Sequence, residues 1–169
     1  MDAITQCVSS NDEIAVSDLR VKLAGEPSAI RPAEATERRS FFLSNIDQVL
    51  LFTVETVHFF AHNPRFPFED VVELLKSALS RLLVQHYEFL AGRLRLNPEK
   101  GRFEIDCNAA GALFAVANSE LAMEDLKDIT YPNPAFKQLL LLHHGREELE
   151  AKAQMIQDLP LCFLQVVVM

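Results

Sequence analysis

The clearest alternation of apolar and polar positions in this chain runs from Glu69 to Leu96. In its first part, apolar residues recur every three or four positions, and Glu69 and Asp70 fall in the first turn, where the helix dipole favours negative charge. Phe89 to Gly92 then interrupts the helical pattern, and Arg93 to Leu96 alternates with the period of a half-buried strand. The pattern therefore predicts an amphipathic helix that leads through a glycine into a strand, as at a joint of an α/β layer. The predicted apolar helix face comprises Val71, Leu75, Ala78, Leu79, Leu82, Leu83 and His86.

Further strands are predicted where β-branched and aromatic residues cluster or alternate. Residues 49–61 have the densest mixture of these residue types and are predicted to form a central strand, preceded by a capped turn at Ser44 and Asp47. Residues 25–39 contain two prolines and several charges, which predicts an extended surface loop. The other predicted elements are strands at 14–23, 112–117 and 163–169, a hairpin of 93–96 with 102–107, and short helices at 119–127 and 147–157.

Composition narrows the class of protein. The net charge of −8 argues against a nucleic-acid partner and against attachment to anionic lipid, because both need a basic face. No apolar run reaches the ~18 residues of a membrane span, and Met1 to Thr5 does not begin a secretory signal. Cys7, Cys107 and Cys162 are odd in number and far apart, which favours free thiols in a reducing compartment. We expect a cytoplasmic α/β protein with residues 1–169 in one partial domain and residues 1–12 disordered.

Catalytic motifs are sparse in this sequence. Neither a glycine-rich phosphate loop nor a GxSxG nucleophile elbow is present, and no spacing of Cys and His predicts a metal site. His143 with Glu147, or His144 with Glu148, stands at i,i+4 and could pair a base with an orienting carboxylate. Neither a nucleophile nor an oxyanion donor accompanies these pairs, so a solvated helix start is favoured. Cys107 and Cys162 lie in apolar strand contexts typical of inert core thiols.

A series of landmarks in sequence order points to a family. They run over roughly residues 15–168: a leading strand and proline-containing loop, Leu43 to Gln48, the segment ending Val57-His58-Phe59-Phe60, the helix around Leu75 to Ser80, Leu90 to Leu94, Asp106-Cys107-Asn108 with Gly111, and Asp158 to Leu161 leading to Gln165-Val166. Together they resemble the N-terminal portion of the plant BAHD acyltransferases, with the hydroxycinnamoyl and omega-hydroxyacid feruloyl transferases most similar.

The resemblance implies a fold, a reaction and its substrates. The fold would be a mixed sheet with helices related to chloramphenicol acetyltransferase, of which this chain is an incomplete first domain. The reaction would transfer an acyl group from acyl-CoA, a co-substrate, to an alcohol or amine, with no tightly bound cofactor and no metal. A histidine in a His-x-x-x-Asp-Gly motif would be the general base. The sequence ends at Met169 before that motif, so we expect a truncated chain that has no catalytic residue and is inactive alone.

Two residues are candidates for substrate binding. In related hydroxycinnamoyltransferases, the segment matching Thr53 to Phe60 places a hydroxyl residue and an aromatic residue near the acceptor. Thr56 and His58 match those positions, although His58 departs from the usual tyrosine. The alternative for this segment is a purely structural strand.

Two other hypotheses remain open for the function of the chain. A non-catalytic remnant could pair its C-terminal strand, residues 163–169, with a full-length homologue or with another copy of itself. Independent catalysis through His143 or His144 is the weaker hypothesis, because those histidines lack the Asp and Gly of the family motif and precede the Asp158-Leu159-Pro160-Leu161 landmark.

Overall fold

The computed structural model describes residues 18–130, 133–140 and 159–169. Helices and two sheets mix in this part of the chain, which agrees with the predicted α/β class. In chain order, the elements are β1 (Lys22–Leu23), β2 (Ser28–Ile30), β3 (Ser40–Phe42), α1 (Asn45–Val49), α2 (Phe68–Leu82), a 3-10 helix (Glu88–Ala91), β4 (Arg93–Asn97), β5 (Arg102–Asp106), β6 (Ala112–Asn118), two further 3-10 helices (Met123–Leu126 and Pro134–Leu139) and β7 (Phe163–Val168).

The long helix α2 confirms the strongest sequence pattern, but its buried face differs from the predicted one. Val72, Leu79 and the following Leu83 are buried, whereas Ala78 is exposed and Leu82 is 46% exposed. These three buried residues pack with Ala91 and with residues of β6 in the main core. The apolar stripe of α2 is wide enough to dock in more than one rotation, and contact with the sheet selects the face, which the helical period alone cannot do.

The first sheet is built around β6. Strands β1 and β2 pair with β6 in antiparallel orientation, and β7 runs parallel to it from Phe163 to Val168. The prediction of a continuous loop over residues 25–39 was wrong, because β2 lies within it and pairs with a strand about 80 residues later in the chain. The strand predicted at 14–23 is reduced to β1 within the described residues, and residues 14–17 lie outside them. Strand β7 is confirmed, but its residues are half-buried where full burial was predicted.

The second sheet has the order β3-β5-β4 and confirms the predicted hairpin. At the turn, the side-chain oxygen of Asn97 accepts hydrogen bonds from the backbone N–H groups of Glu99 and Lys100, and Gly101 adopts a φ of 61°. The inner face of this sheet packs Leu43, Leu94, Ile105 and Cys107 into a separate apolar cluster.

The central strand predicted at residues 49–61 is not present. Val49 is the last residue of α1, and residues 50–63 have no regular secondary structure. None of the strands among the described residues pairs with this segment. β-branched and aromatic residues favour a strand because their side chains pack well on a pleated sheet. They form one only where a neighbouring strand is present to make the backbone hydrogen bonds.

The remaining predictions have mixed outcomes. The predicted helix at 119–127 is a shorter 3-10 helix at Met123–Leu126. Cys107 is buried, Cys162 is half-buried and both are free thiols, and burial raises the pKa of each. Residues 1–17 and 141–158 lie outside the described residues, and with them Cys7, His143, His144 and the helix predicted at 147–157. Among the helices that the structure describes, none is both long and apolar enough to cross a membrane.

Candidate functional site

Thr56 and His58 lie on residues 50–60, an irregular segment that we call the strap. Both side chains are exposed. Large apolar side chains of the strap are exposed as well, among them Phe52 (63%), Val54 (76%) and Phe60 (82%). The strap therefore presents four exposed polar residues, Thr53, Glu55, Thr56 and His58, within an apolar surface.

The strap begins at the end of α1, whose first turn is capped as the sequence predicts. The hydroxyl of Ser44 accepts a hydrogen bond from the backbone N–H of Asp47 (3.3 Å), and the Asp47 carboxylate accepts one from the backbone N–H of Ser44 (2.7 Å). Hydrogen bonds to the Asp47 carboxylate from the Ser44 side chain and from the Ser44 backbone N–H lower the pKa of the Asp47 carboxyl, so the cap is made by the charged form.

Gln48 joins α1 to the second sheet. Its side-chain Nε2 donates to the carbonyl oxygen of Phe103 (2.8 Å), and its Oε1 accepts from the backbone N–H of Phe103 (2.9 Å). Strand β3 stops pairing with β5 at Phe42 opposite Glu104. The Gln48 amide therefore takes the place of the next peptide group and extends the ladder by one residue.

The other end of the strap is held by an aromatic contact. Phe59 packs edge-to-face against Phe136, with ring centroids 5.3 Å apart. Both rings contact an apolar cluster built on Leu19, Leu126 and Leu139. Phe59 is half-buried while its neighbours His58 and Phe60 are exposed, so this one side chain fastens the segment beside the candidate binding residue.

The charged side chains on β5 have ionic or hydrogen-bonding partners. Glu104 accepts hydrogen bonds from Lys100, Asn97 and Ser40, and these lower its pKa to about 2. Asp106 pairs with Arg38 (2.8 Å) and with Arg95 (3.1 Å), and the hydrogen bond from Arg38 lowers its pKa. Carboxylates held ionised by fixed partners are poor general bases, so these residues hold the sheet together instead.

A concave surface of about 380 Å³ lies between residues 35–39 and the turn after α2. At its floor, the Arg39 guanidinium pairs with the carboxylate of Glu88 and lowers the pKa of that carboxyl. His86 lies on the rim with a φ of 65°. Because Arg39 holds the Glu88 carboxylate in its ionised form, Glu88 is a poor general base.

The Leu-Ala-Gly-Arg-Leu joint has a structural explanation. The Arg93 side chain donates to the carbonyl oxygens of Gly92 (2.8 Å) and Gly111 (2.9 Å), which joins the start of β4 to the turn before β6. Gly111 has a φ of 101°, which an L side chain rarely adopts. The joint therefore connects the two sheets and carries no reactive group.

The structure brings Thr56 and His58 onto one segment but does not place them beside a described acid–base pair. Across the described ranges, no three His, Cys, Asp or Glu side chains are arranged to hold a metal ion. Sequence reasoning found the cap at Ser44 and Asp47 but missed Gln48 and Phe59 as attachments of the strap. The available signals were the position of Gln48 directly after the cap and the continuous aromatic pair at 59–60.

Comparison with known proteins identifies the family. A model of the transferase family matches residues 24–167. Acyltransferase GLAUCE of Arabidopsis thaliana is 53% identical over 126 residues, which cover 74% of this chain and 28% of that protein. Omega-hydroxypalmitate O-feruloyl transferase of Arabidopsis thaliana is 39% identical over 109 residues, 64% of this chain and 23% of that protein. Benzyl alcohol O-benzoyltransferase of Petunia hybrida is 35% identical over 118 residues, 68% of this chain and 25% of that protein.

The chain thus spans about a quarter of the length of these curated relatives. The match to the family model includes the capped turn at Ser44, the strap, α2 and the Leu-Ala-Gly-Arg-Leu joint. It covers the whole second sheet and all of the first except β1 and the last residue of β7. The chain belongs to the BAHD family of acyltransferases.

Proposed function

We propose that this chain forms part of an acyltransferase that moves an acyl group from acyl-CoA to the hydroxyl or amine of an acceptor. The match to the transferase family over residues 24–167 carries the proposal. Two of the relatives are named for transfer to alcohols, omega-hydroxypalmitate and benzyl alcohol, and both of those acceptors combine a hydroxyl with a hydrocarbon body. An alcohol of that type is the acceptor that the apolar strap favours.

In such a reaction, a histidine removes the acceptor proton while the acceptor oxygen attacks the thioester carbonyl. The carbon–sulfur bond then breaks, and the histidine returns the proton to the sulfur, so that coenzyme A leaves as the thiol. None of the five histidines of the sequence is followed four residues later by an aspartate, so the base comes from outside these residues. We therefore expect no transfer by the isolated chain.

The role proposed for this chain is acceptor binding by the strap. The Thr56 hydroxyl and the His58 imidazole can each hydrogen-bond to an acceptor hydroxyl. Phe52, Val54 and Phe60 offer apolar surface that an acceptor hydrocarbon would bury. The full-length fold proposed is related to chloramphenicol acetyltransferase. The two described free thiols support the proposal of a cytoplasmic location, because thiols stay reduced in a reducing compartment.

A chimera tests the proposal. The segment of omega-hydroxypalmitate O-feruloyl transferase that corresponds in alignment to residues 24–167 of this chain is exchanged for those residues, and the rest of the relative is kept. With feruloyl-CoA and an ω-hydroxy fatty acid, we expect ester formation by the chimera and none by the isolated chain. A soluble, folded chimera without transfer would contradict the proposal, and so would turnover by the isolated chain that His144→Ala abolishes.

The second candidate function is a non-catalytic module that associates with a full-length homologue through β7. The strand Phe163–Val168 contains no charged residue, and charges are the usual protection of a sheet edge. Light scattering after size-exclusion chromatography, on the chain alone and mixed with a full-length relative, separates the two candidates. A complex that lowers the relative's activity would favour the module.

A further inference from the structure

We infer that Gln48 and Phe59 are positioning residues that fix the strap so that Thr56 and His58 can meet the acceptor. This inference rests on the proposed acyl transfer and adds to it the elements that orient the binding segment. Gln48 lies two residues before the strap, and Phe59 lies one residue after His58. Between these attachments the strap has no regular secondary structure that could fix its path.

The Gln48 attachment is specific because it uses both ends of one side-chain amide. The donor and the acceptor of Gln48 both engage Phe103, at 2.8 and 2.9 Å. An alanine here removes both hydrogen bonds, and a glutamate keeps only the acceptor and places its charge against the Phe103 carbonyl oxygen. Gln48 thereby fixes the start of the strap against β5. This strand is internal to its sheet, with β3 on one side and β4 on the other.

The Phe59 attachment joins the strap to a different part of the molecule. Its partner Phe136 lies on the 3-10 helix Pro134–Leu139, and the cluster beneath includes Val167 of β7. The strap therefore crosses from the second sheet to the apolar cluster around Leu19, which lies at the end of the first sheet. Loss of either attachment removes the anchor on one side of Thr56 and His58.

Limited proteolysis of the complete 169-residue chain tests the anchoring. Glu55 is the one acidic residue of the strap, so a glutamyl endopeptidase reports on the segment directly, with cleavage after exposed Glu34 as an internal reference. We expect Phe59→Ala and Gln48→Ala each to accelerate cleavage after Glu55 about tenfold relative to Glu34, because cleavage follows the population of the open segment. Phe60→Ala is the matched control, since Phe60 is 82% exposed, and it should leave the ratio unchanged.

Steady-state kinetics of the chimera test the positioning role. Phe59→Ala and Gln48→Ala should raise the acceptor KM roughly tenfold and leave the KM for acyl-CoA within about twofold, a split that general destabilisation does not produce. Phe59→Leu, which keeps apolar contact with the cluster, should restore most of the acceptor affinity.

Each outcome decides the inference. Unchanged cleavage after Glu55, or faster cleavage with an unchanged acceptor KM, overturns it while the proposed function stands. A parent chimera without transfer overturns the proposed function, and with it the role in acceptor binding. Faster cleavage together with the selective rise in KM supports both.

Discussion

A Cβ atom placed on Gly92 would lie 2.6 Å from the carbonyl oxygen of Asp106 on β5. The same atom would lie 2.7 Å from the Cγ2 atom of Ile105, in the apolar cluster of the second sheet. Both distances are shorter than any stable contact of a side chain, and the first of them involves backbone that is fixed in a ladder. The glycine of the Leu-Ala-Gly-Arg-Leu landmark is therefore required by the close approach of two strands.

Gly92→Ala should destabilise the chain by about 1–3 kcal/mol, the usual cost of overpacking, because β4 must move away from β5. Urea unfolding followed by circular dichroism measures the change. Gly25→Ala is the matched control, since nothing lies within 4 Å of a Cβ at that position. Equal effects of the two substitutions would show that the close approach does not limit the fold.

The face of α2 that carries the core can be tested with two adjacent leucines. Leu83 is fully buried and Leu82 is 46% exposed. Leu83→Ala should lower the free energy of unfolding by about 2–5 kcal/mol, whereas Leu82→Ala should change it by no more than roughly 1 kcal/mol. Denaturation midpoints of the two variants give the comparison. A larger loss at Leu82 would mean that the helix docks with Leu82, and not Leu83, toward the core.

Stability in acid should depend on Glu104. The pKa of its carboxyl is about 2 in the folded chain against an ordinary value of 4.5, because Lys100, Asn97 and Ser40 donate hydrogen bonds to it. The unfolded state therefore takes up this proton first as the pH falls. The contribution of Glu104 to the free energy of unfolding is present above pH 4.5 and is lost progressively as the pH falls toward 2.

Glu104→Gln should reduce this pH dependence, since the amide does not titrate. Unfolding in urea at pH 3, 5 and 7 provides the measurement, with Glu99→Gln on the same turn as the control. The difference in stability between wild type and Glu104→Gln should be smaller at pH 3 than at pH 7. A difference that is constant with pH would contradict the proposed protonation linkage.

The sequence was most informative where structure depends on neighbours along the chain. Helix α2, the β4–β5 hairpin and the cap at Ser44 follow from spacing, a glycine turn and a local hydrogen bond, and all three were predicted. Strand β2 was missed because its partner β6 lies far away in the sequence. Residues 49–61 have strand composition but no described partner, so composition alone gave the wrong structure.

In the candidate site too, local sequence predicted some features and missed those that depend on distant residues. Thr56 and His58 came from a family resemblance, and their placement on the strap was not foreseen. Gln48 can bond to Phe103 because the pairing of β3 with β5 ends at Glu104, one residue before Phe103. Where that pairing ends is a property of the sheet register. Local sequence does not encode that register, because it is set by pairing between residues more than 60 positions apart.

The most direct test of the strap as the acceptor-binding surface is the acceptor KM of the chimera that contains residues 24–167. We expect Thr56→Val combined with His58→Phe to raise that KM about tenfold, while the KM for acyl-CoA stays within about twofold. His58→Tyr, the residue usual in similar hydroxycinnamoyltransferases, should retain acceptor binding. An acceptor KM that does not change in the double variant, in a chimera that transfers acyl groups, would contradict the role assigned to the strap.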